Sequence, residues 1–302
     1  MKCIISGGGG FIGGRLVDSL LKDGHYVSVW SRKPGIERRN AVGSFCWDPI
    51  SGEPASESLE DFDVVVHLAG EPVAQRWTPD VKRRIRDSRV HGTRHLVHAI
   101  STLKRRPSLL ICASAIGYYG DRGDEVLTES SKPGKGFLSE VCVEWEKQAD
   151  LAESLGLRVV KVRIGVVLGK GGGALAKMVP PFEKYAGGTL GSGRQWMSWI
   201  HLDDLVAMMR FAMDQPVSGV LNGTAPNPVT NAKFTEALAA ALKKPAFLKV
   251  PAFALKILYG EMANVMLASE RVLPKAAEAG GFHFQYPEVG TALKEALREA
   301  LK

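Results

Sequence analysis

The 302-residue chain contains few cysteines and no long apolar segment. Cys3, Cys46, Cys112 and Cys142 stand far apart and form no C-x-x-C pair, which argues against a disulfide framework and a cysteine-based metal or redox motif. We therefore expect reduced thiols, no metal site and a cytoplasmic location. No apolar run approaches the ~18 residues that a membrane helix requires, so we expect no membrane association.

The sequence also lacks the pattern of a cleaved leader and of disordered tracts. MKCIIS leads directly into a strand, which leaves no room for the charged and apolar parts of a secretory signal. The charged fraction is 24%, and neither a repeat nor a low-complexity tract is present in the sequence. With 45% hydrophobic residues, the chain can bury a core as one large domain or as two smaller ones.

The formal net charge is +7, and basic residues are most concentrated in KRRIRDSRVHGTRH at 82–95. A nucleic-acid patch is one interpretation of this cluster. The cluster has helical spacing and no interleaved aromatic residues, so we favour a solvated helix face with one or two arginines directed at a phosphate. We predict no nucleic-acid partner.

Apolar runs and helical patterns alternate through the first half of the chain. This alternation predicts an α/β fold with a Rossmann-type, doubly wound parallel sheet. A dinucleotide-binding domain is expected over 1–167 and a smaller substrate lobe over 168–302, with about 199–225 returning to the main sheet. The predicted strands are CII (3–5), YVSVW (26–30), SFCW (44–47), VVVHL (64–68), LLICAS (109–114) and LRVVKVRIGVV (157–167), and helices are predicted over about 11–22, 79–104, 137–155 and 230–244.

The strongest chemical signal is the glycine-rich stretch IISGGGGFIGG at 4–14. Gly7, Gly10 and Gly13 follow a strand directly and begin a helix, within the first βαβ unit. Glycines at this spacing allow a tight turn, a close approach of a pyrophosphate and close packing of helix on strand. The helix N-terminus adds free N–H groups for the phosphate, so we predict a dinucleotide site.

The end of the second predicted strand distinguishes NAD from NADP. An NAD site usually presents a carboxylate there, whereas this chain has Ser31, Arg32 and Lys33, with no carboxylate before Glu37. A hydroxyl and two cations suit a 2′-phosphate, which predicts NADP(H) as the cofactor. The alternative is that both cations are plain surface charges.

Several motifs resemble the extended short-chain dehydrogenase/reductases. SGGGGFIG is similar to that family's glycine turn, HLAG (67–70) to the stretch after its fourth strand, and ASAIGYYG (113–120) to its serine-bearing fifth strand. RW (76–77), SRVHGT (88–93), GVVLGKGGGAL (165–175) and LGSGRQWMSWIH (190–201) resemble an atypical subgroup of nucleoside-diphosphate-sugar epimerase-like proteins, some of which are named cell-division inhibitors. The resemblance covers essentially the whole chain.

The resemblance implies a set of cofactor contacts. It places the pyrophosphate on the glycine turn, the adenosine end near the second strand and the ribose beside the LAG stretch, and it adds two arginines. The implied residues are Gly7, Gly10, Phe11, Ile12, Gly13, Ser31, Arg32, Leu68, Ala69, Gly70, Arg89 and Arg163.

The catalytic pattern of the resembled family is incomplete in this chain. That family uses a Tyr-x-x-x-Lys pair on the helix after the fifth strand, and the matching positions here are Leu138 and Cys142. At about 100° per residue these two side chains share an apolar face with Trp145, while the helix contains no Tyr and its Lys147 lies opposite. We therefore expect this helix to be part of the core.

Any proton donor must then come from elsewhere. Ser114, Tyr118 and Tyr119 lie at the end of the fifth strand and are candidate catalytic residues, although aromatic packing explains the tyrosines as well. Glu71 is a further candidate base. We expect His201 to cap a helix.

The substrate pocket is expected in the second lobe. Arg194, Gln195 and Trp199 lie beside a glycine-rich turn, a composition that can stack a ring and bind an anionic group. One hypothesis is an NADP-dependent, epimerase-like oxidoreductase acting on a nucleotide sugar or another small anionic or carbonyl substrate. The other is a sensor or regulatory protein that holds NADP(H) without turnover. Pairing through helices is common in such folds, so a homodimer is an open alternative.

Overall fold

A computed structural model describes residues 1–32 and 43–298 of the chain. Lys33 and Glu37, which bear on the NADP prediction, lie outside these residues. The described strands are β1 (Lys2–Ser6), β2 (Tyr26–Ser31), β3 (Gly43–Cys46), β4 (Val64–His67), β5 (Leu109–Ala115), β6 (Val126–Leu127), β7 (Arg158–Ile164), β8 (Val166–Leu168), β9 (Gly188–Leu190), β10 (Trp196–Met197), β11 (Trp199–His201), β12 (Gly219–Gly223), β13 (Val229–Thr230), β14 (Leu248–Val250) and β15 (Arg271–Val272).

Ten α-helices are described between and after these strands. They are α1 (Phe11–Lys22), α2 (Pro79–Ser101), α3 (Phe137–Asp150), α4 (Leu175–Glu183), α5 (Leu202–Asp214), α6 (Asn231–Leu242), α7 (Ala252–Tyr259), α8 (Ala263–Leu267), α9 (Lys275–Ala279) and α10 (Val289–Arg298). No helix of the described residues is long and apolar enough to cross a membrane. All four cysteines are free.

The main sheet has seven strands in the order β12-β7-β5-β4-β1-β2-β3, and every neighbouring pair is parallel. Successive side chains of a strand point to opposite faces, so each of these apolar strands contributes side chains to two hydrophobic cores. Cys3 and Ile5 pack with α1 and α5 on one face, while Ile4 packs with α2 and α3 on the other. The predicted Rossmann-type fold is confirmed.

One predicted strand divides into two. The run 157–167 forms β7 in the main sheet and then β8, which pairs with β11 outside it. The break falls at Gly165, where a Cβ would lie 2.6 Å from the Ser198 carbonyl oxygen. Glycine at this position therefore allows the Ser198 segment to pack closely where the chain leaves the main sheet.

The second lobe has its own core but is anchored to the first. Leu168, Trp199 and Leu238 pack with the buried face of α10 in a separate cluster. The anchors are β12, which is the edge strand of the main sheet, and Phe282, which packs in the α1–α5 core. Strand β15 also pairs with β6, in the loop that follows β5. These contacts form a cleft between the lobes at the carboxyl end of β5.

Candidate cofactor and substrate clefts

The glycine turn has the geometry that a pyrophosphate needs. Gly7 has φ +70°, in the left-handed region that favours glycine, and its carbonyl accepts the Gly10 N–H over 2.8 Å. A Cβ on Gly13 would lie 2.2 Å from the Gly7 oxygen, so α1 can pack this closely only with glycine there. Helix α1 has neither a capping side chain nor an acidic residue in its first turn. Its N-terminal amides and positive dipole end are therefore open to an anion.

Phe11 and Ile12 support this turn from behind. The Phe11 ring packs on the glycine-rich segment after β8, where a Cβ on Gly172 would lie 2.6 Å from it. Ile12 packs against the α1–α5 core. Neither side chain lines the cleft that opens above this turn. Their predicted contact with a pyrophosphate could therefore come only from their backbone amides at the helix N-terminus.

A cleft of about 820 Å³ opens above this turn, at the carboxyl ends of β1, β2 and β4. Its volume and position fit a dinucleotide in a doubly wound sheet. We call it the cofactor cleft. It is lined by Ser6, Gly7, Gly9, Gly10, Trp30, Ser31, Arg32, Trp47, Asp48, Pro49, Ile50, Leu68, Ala69, Gly70, Glu71 and Ser88.

The predicted contacts at Leu68, Ala69 and Gly70 line this cleft, and Ser6 fixes their backbone. The Ser6 hydroxyl accepts N–H groups of Leu68 and Ala69 over 3.1 and 3.2 Å and lies 2.7 Å from His67 Nδ1. Since two amides occupy its lone pairs, the hydroxyl donates to the imidazole. Burial, with a smaller contribution from Arg89, lowers the pKa of His67 to about 4. A neutral imidazole therefore lies under the cleft floor.

At the ends of β2 and β3, the cleft is lined both by residues that the sequence predicted and by residues that it did not indicate. Ser31 and Arg32, at the end of β2, line the cleft as predicted, and Arg32 is exposed. The segment 47–50 directly after the neighbouring strand β3 also lines the cleft, although no sequence motif indicates it. Trp47 packs edge-on against Trp30 at 5.2 Å, and this buried pair shapes that part of the lining. The tryptophan spacing carries no recognisable motif, so only the sheet brings these residues together.

Arg89 lies directly behind the LAG stretch. Its Nη1 donates to the Glu71 carbonyl over 3.0 Å, and a Cβ on Gly70 would lie 3.2 Å from its guanidinium carbon. The guanidinium also lies over the Trp145 ring, 5.3 Å from the centroid. Burial lowers the pKa of Arg89. Arg89 thus supports the cleft backbone, and a direct cofactor contact stays a prediction.

Arg163 does not lie at the cofactor cleft, which corrects its predicted role. It is 3% exposed and forms a two-pronged pair with Glu146, Nε to Oε1 and Nη2 to Oε2, both over 2.8 Å. Its guanidinium also lies 3.4 Å from the Tyr118 ring centroid. A buried cation with these partners is part of the core between β7 and α3.

The same network holds two of the predicted catalytic residues. The Ser114 hydroxyl is buried and donates to Glu146 Oε1 over 2.6 Å, so it is not free for a substrate oxygen. The Tyr119 hydroxyl contacts Asn222 Oδ1 over 2.7 Å and accepts from Arg163 over 2.9 Å. Burial raises the pKa of Tyr119 to about 12, despite Arg163. The structure gives both residues a structural role.

Two of the candidate catalytic residues, Tyr118 and Glu71, are only partly buried. Tyr118 is half-buried and its hydroxyl has no hydrogen bond with a described residue, but it lines neither the cofactor cleft nor the cleft at the head of α3. Glu71 lines the cofactor cleft, where its carboxylate accepts from Gln75 over 3.1 Å and from Arg84 over 3.4 Å. Both stay candidates, with Glu71 engaged by a cation.

The apolar face of α3 is buried as predicted. Cys142 and Trp145 are 3% and 4% exposed. Leu138 lies at the head of the helix and lines a second cleft, and burial raises the pKa of Cys142 to about 12. An aliphatic group and a neutral thiol thus occupy the positions that matched the family's Tyr and Lys. Glu146 was missed, although its angle near Cys142 on the helical wheel places it at the edge of the buried face.

The second cleft, of about 260 Å³, lies between the head of α3 and the second lobe. The segment from Glu71 to Trp77 leads from the cofactor cleft to this one, since Glu71 lines the first and Trp77 the second. We call this second cleft the substrate cleft. It is lined by Trp77, Gly117, Gly120, Asp121, Lys135, Gly136, Phe137, Leu138, Ser139, Glu261, Asn264, Val265, Ala268 and Glu270.

The three predicted substrate residues lie elsewhere. Trp199 is fully buried in the second-lobe core, and Gln195 is buried with its amide nitrogen donating to the Leu190 carbonyl over 3.0 Å. Arg194 is exposed and lines neither of the two clefts. A buried tryptophan cannot stack on a ligand, so this motif is structural. His201 caps α5 as expected, because its Nδ1 accepts the Asp203 N–H over 3.2 Å.

A parallel sheet with an open glycine turn defines the class of Rossmann-type dinucleotide-binding proteins. The model of the NAD dependent epimerase/dehydratase family matches residues 3–225, and that of a domain of unknown function, DUF1731, matches residues 250–296. The chain therefore belongs to the NAD dependent epimerase/dehydratase family, as an atypical member with this C-terminal domain. This confirms the resemblance seen in the sequence.

Three relatives illustrate the similarity. The chain is 44% identical over 299 residues to the chloroplastic epimerase family protein SDR39U1 homolog of Arabidopsis thaliana, covering 97% of this chain and 86% of that one. It is 38% identical to Epimerase family protein YfhF of Bacillus subtilis, with 99% of both covered. The crystal structure of human epimerase family protein SDR39U1 with NADPH superposes with a TM-score of 0.87 at 35% identity, with 99% of both chains covered.

Proposed function

We propose that this chain binds NADP(H) in the cofactor cleft and is an epimerase-like oxidoreductase acting on a small carbonyl or alcohol compound in the adjacent substrate cleft. The observation that carries the proposal is the open N-terminus of α1, with Arg32 at the far end of the same cleft. The human relative crystallised with NADPH supports the choice of cofactor.

The residues of the cofactor cleft divide the work of binding. The amides at the head of α1 take the pyrophosphate, and Arg32 takes the 2′-phosphate with a charge-assisted hydrogen bond. The backbone of Leu68 to Gly70, held by Ser6, lies against the ribose on the nicotinamide side. When bound, NADPH supplies a hydride for transfer to a substrate carbon. The chain itself must orient the substrate, exclude water and move the proton.

Replacing Arg32 tests the cofactor assignment. In Arg32→Ala, we expect the affinity for NADPH to fall by about tenfold or more while that for NADH stays nearly unchanged, because a hydrogen bond to a charged group contributes about 1.5–3 kcal/mol. Titration calorimetry of both cofactors measures this difference. Arg83→Ala is the matched control, since that arginine is exposed and pairs with Asp80 over 2.8 Å on α2. An equal loss for both cofactors, or a wild-type preference for NADH, would contradict the assignment.

A second candidate function is NADP(H) binding without turnover, as in a sensor. The observation that favours it is the engagement of Ser114 and Tyr119 in the buried Glu146–Arg163 network. Following nicotinamide absorbance with aldehydes, ketones, sugars and nucleotide sugars separates the two functions. Oxidation or reduction of any member supports the enzyme, and tight NADPH binding without turnover across the panel supports the sensor.

A further inference from the structure

Among the carboxyl groups lining the substrate cleft, that of Glu270 stands out because it has no partner among the described residues. Glu270 is half-buried, and its carboxyl makes no hydrogen bond or ion pair with a described residue. The other two carboxylates are engaged. Glu261 pairs with Lys82 over 2.9 Å, and Asp121 Oδ1 accepts the Ser269 N–H over 3.1 Å. Glu270 is therefore the carboxyl in this lining that is left for a ligand.

The backbone around Glu270 is held from several sides. Its N–H donates to the Trp196 carbonyl over 3.1 Å, and its carbonyl accepts the Ser198 hydroxyl over 2.7 Å. The preceding Ser269 is bonded to the loop after β5, where its hydroxyl donates to the Gly123 carbonyl over 2.6 Å. Because Glu270 directly precedes β15, which pairs with β6, its position is fixed relative to the end of β5.

The wall that the first lobe contributes to this cleft lies where ligands bind in doubly wound sheets. Gly117 and Leu138 form that wall, just beyond the carboxyl end of β5 and at the head of α3. These elements also carry the positions at which the expected Tyr and Lys are replaced. Glu270 thus lines, from the second lobe, the same cleft as Leu138, which occupies the position of the expected Tyr.

The burial of Glu270 and the nearby charge of Asp121 favour its protonated form. Burial, with a smaller contribution from the like charge of Asp121, raises the pKa of Glu270 to about 8. The other charged groups at the cleft are Lys135 on the loop after β5 and the Glu261–Lys82 pair, while Arg271 is turned over the Trp196 ring at 4.3 Å. A carboxyl that titrates near neutral pH can both give and take a proton.

We propose that Glu270 is the proton donor and acceptor for the ligand of the substrate cleft, an inference that rests on the oxidoreductase proposed above. In reduction, a carbonyl carbon gains a hydride from NADPH and the carbonyl oxygen takes the proton of the Glu270 carboxyl. The products are an alcohol, NADP⁺ and the Glu270 carboxylate, which regains a proton from solvent. Oxidation runs through the reverse transfer, with the carboxylate accepting the hydroxyl proton.

The same cleft limits the class of substrate. With Glu270 protonated and Glu261 paired with Lys82, the remaining charges in its lining are Asp121 and Lys135. A phosphate or carboxylate would therefore meet no unopposed cation there. Its volume of about 260 Å³ lies below the range of about 300–1,000 Å³ usual for drug-sized ligands. Trp77 and Phe137 add an apolar edge. The cleft therefore fits a compact, uncharged or cationic carbonyl compound better than a nucleotide sugar.

The titration of Glu270 is measurable without turnover. In protein carrying ¹³C-carboxyl glutamate and saturated with NADP⁺, the resonance that vanishes in Glu270→Gln should titrate near pH 8. In Asp121→Asn the same resonance should titrate at a lower pH, because the like charge is gone. A Glu270 resonance that titrates in the ordinary range of glutamates, about 4.3, overturns the proposal whatever the activity.

Turnover provides the second readout. With any uncharged or cationic carbonyl compound that the wild type reduces, Glu270→Gln should lower kcat by about 100-fold or more. The rate should also lose its decline above pH 8. Glu278→Gln, a surface carboxylate paired with Lys275 on α9, is the control and should leave kcat unchanged. An active Glu270→Gln, or nucleotide sugars as the only substrates, overturns this inference and leaves the oxidoreductase standing. A wild type that binds NADPH but turns over nothing removes both.

Discussion

At the scale of single residues, His67 gives the cleft floor a dependence on pH. Its imidazole is buried and accepts a hydrogen bond from the Ser6 hydroxyl at Nδ1, so a second ring proton is costly in the folded state. The pKa of His67 is about 4 in the folded state, against an ordinary value of 6.5 that applies to the unfolded chain. The unfolded state therefore binds more protons between these values, and stability falls as the pH falls through that window.

We expect His67 to lower the free energy of unfolding by roughly 2 kcal/mol between pH 7 and pH 5. His67→Gln should remove this part of the pH dependence, because an amide does not titrate. Urea unfolding at the two pH values measures it. His283→Gln, at an exposed position, is the control and should follow the wild-type pH dependence. Parallel pH profiles for wild type and His67→Gln would show that another group causes the loss.

At the scale of elements, the contact between the glycine turn after β1 and helix α1 requires a glycine, which has no Cβ, at position 13. A Cβ on Gly13 would lie 2.2 Å from the Gly7 oxygen, whereas one on Gly14 would lie 3.6 Å from the Gly8 oxygen. The first distance forces the helix away from the turn, and the second is ordinary contact. Neighbouring glycines of one helix thus have opposite tolerance for alanine.

Gly13→Ala should destabilise the protein by about 1–3 kcal/mol and weaken NADPH binding, because overpacking displaces the amides that face the pyrophosphate. Gly14→Ala should instead stabilise α1 by about 0.5–1 kcal/mol and leave binding unchanged. Thermal unfolding and calorimetric titration of both variants test this pair. Equal effects of the two substitutions on NADPH affinity would argue against the turn as the pyrophosphate site.

The sequence predicted the elements and the glycine turn better than the residues that line the proposed substrate cleft. The βαβ alternation and Gly7, Gly10 and Gly13 are local patterns, and each implies its own geometry. Trp47 and Glu270 carry no local pattern, because they reach their clefts only through the sheet and the β6–β15 pairing. Composition predicts Trp199 as a ligand contact, but composition cannot distinguish a buried ring from an exposed one.

At the scale of the whole molecule, the two lobes are expected to unfold together. Strand β12 lies in the main sheet, and Phe282 and α5 share a core with β1 and α1, although they follow the second-lobe boundary in the sequence. The predicted division at residue 167 is therefore not expected to separate two independently folding units. A loss of packing in the C-terminal helix should be felt in the nucleotide-binding part.

Leu293→Ala, fully buried on α10, should lower the free energy of unfolding by about 2–5 kcal/mol for the whole chain. Near-ultraviolet circular dichroism and NADPH protection should report one transition with a common, lowered midpoint. Leu258→Ala, at a side chain 64% exposed on α7, should leave that midpoint in place. A first transition that spares NADPH binding would mean that the lobes unfold independently.

The buried Glu146–Arg163 pair limits how the Tyr-x-x-x-Lys pattern of the resembled family could be introduced into this chain. Installing Tyr at Leu138 and Lys at Cys142 would not recreate that family's machinery, because Glu146 holds the Ser114 hydroxyl. A lysine at position 142 would also place a further cation near Glu146 and Arg89, and Glu146 already pairs with Arg163. Introducing the Tyr-x-x-x-Lys pattern would therefore require coupled substitutions, because Cys142→Lys alone buries a further charge beside the Glu146–Arg163 pair.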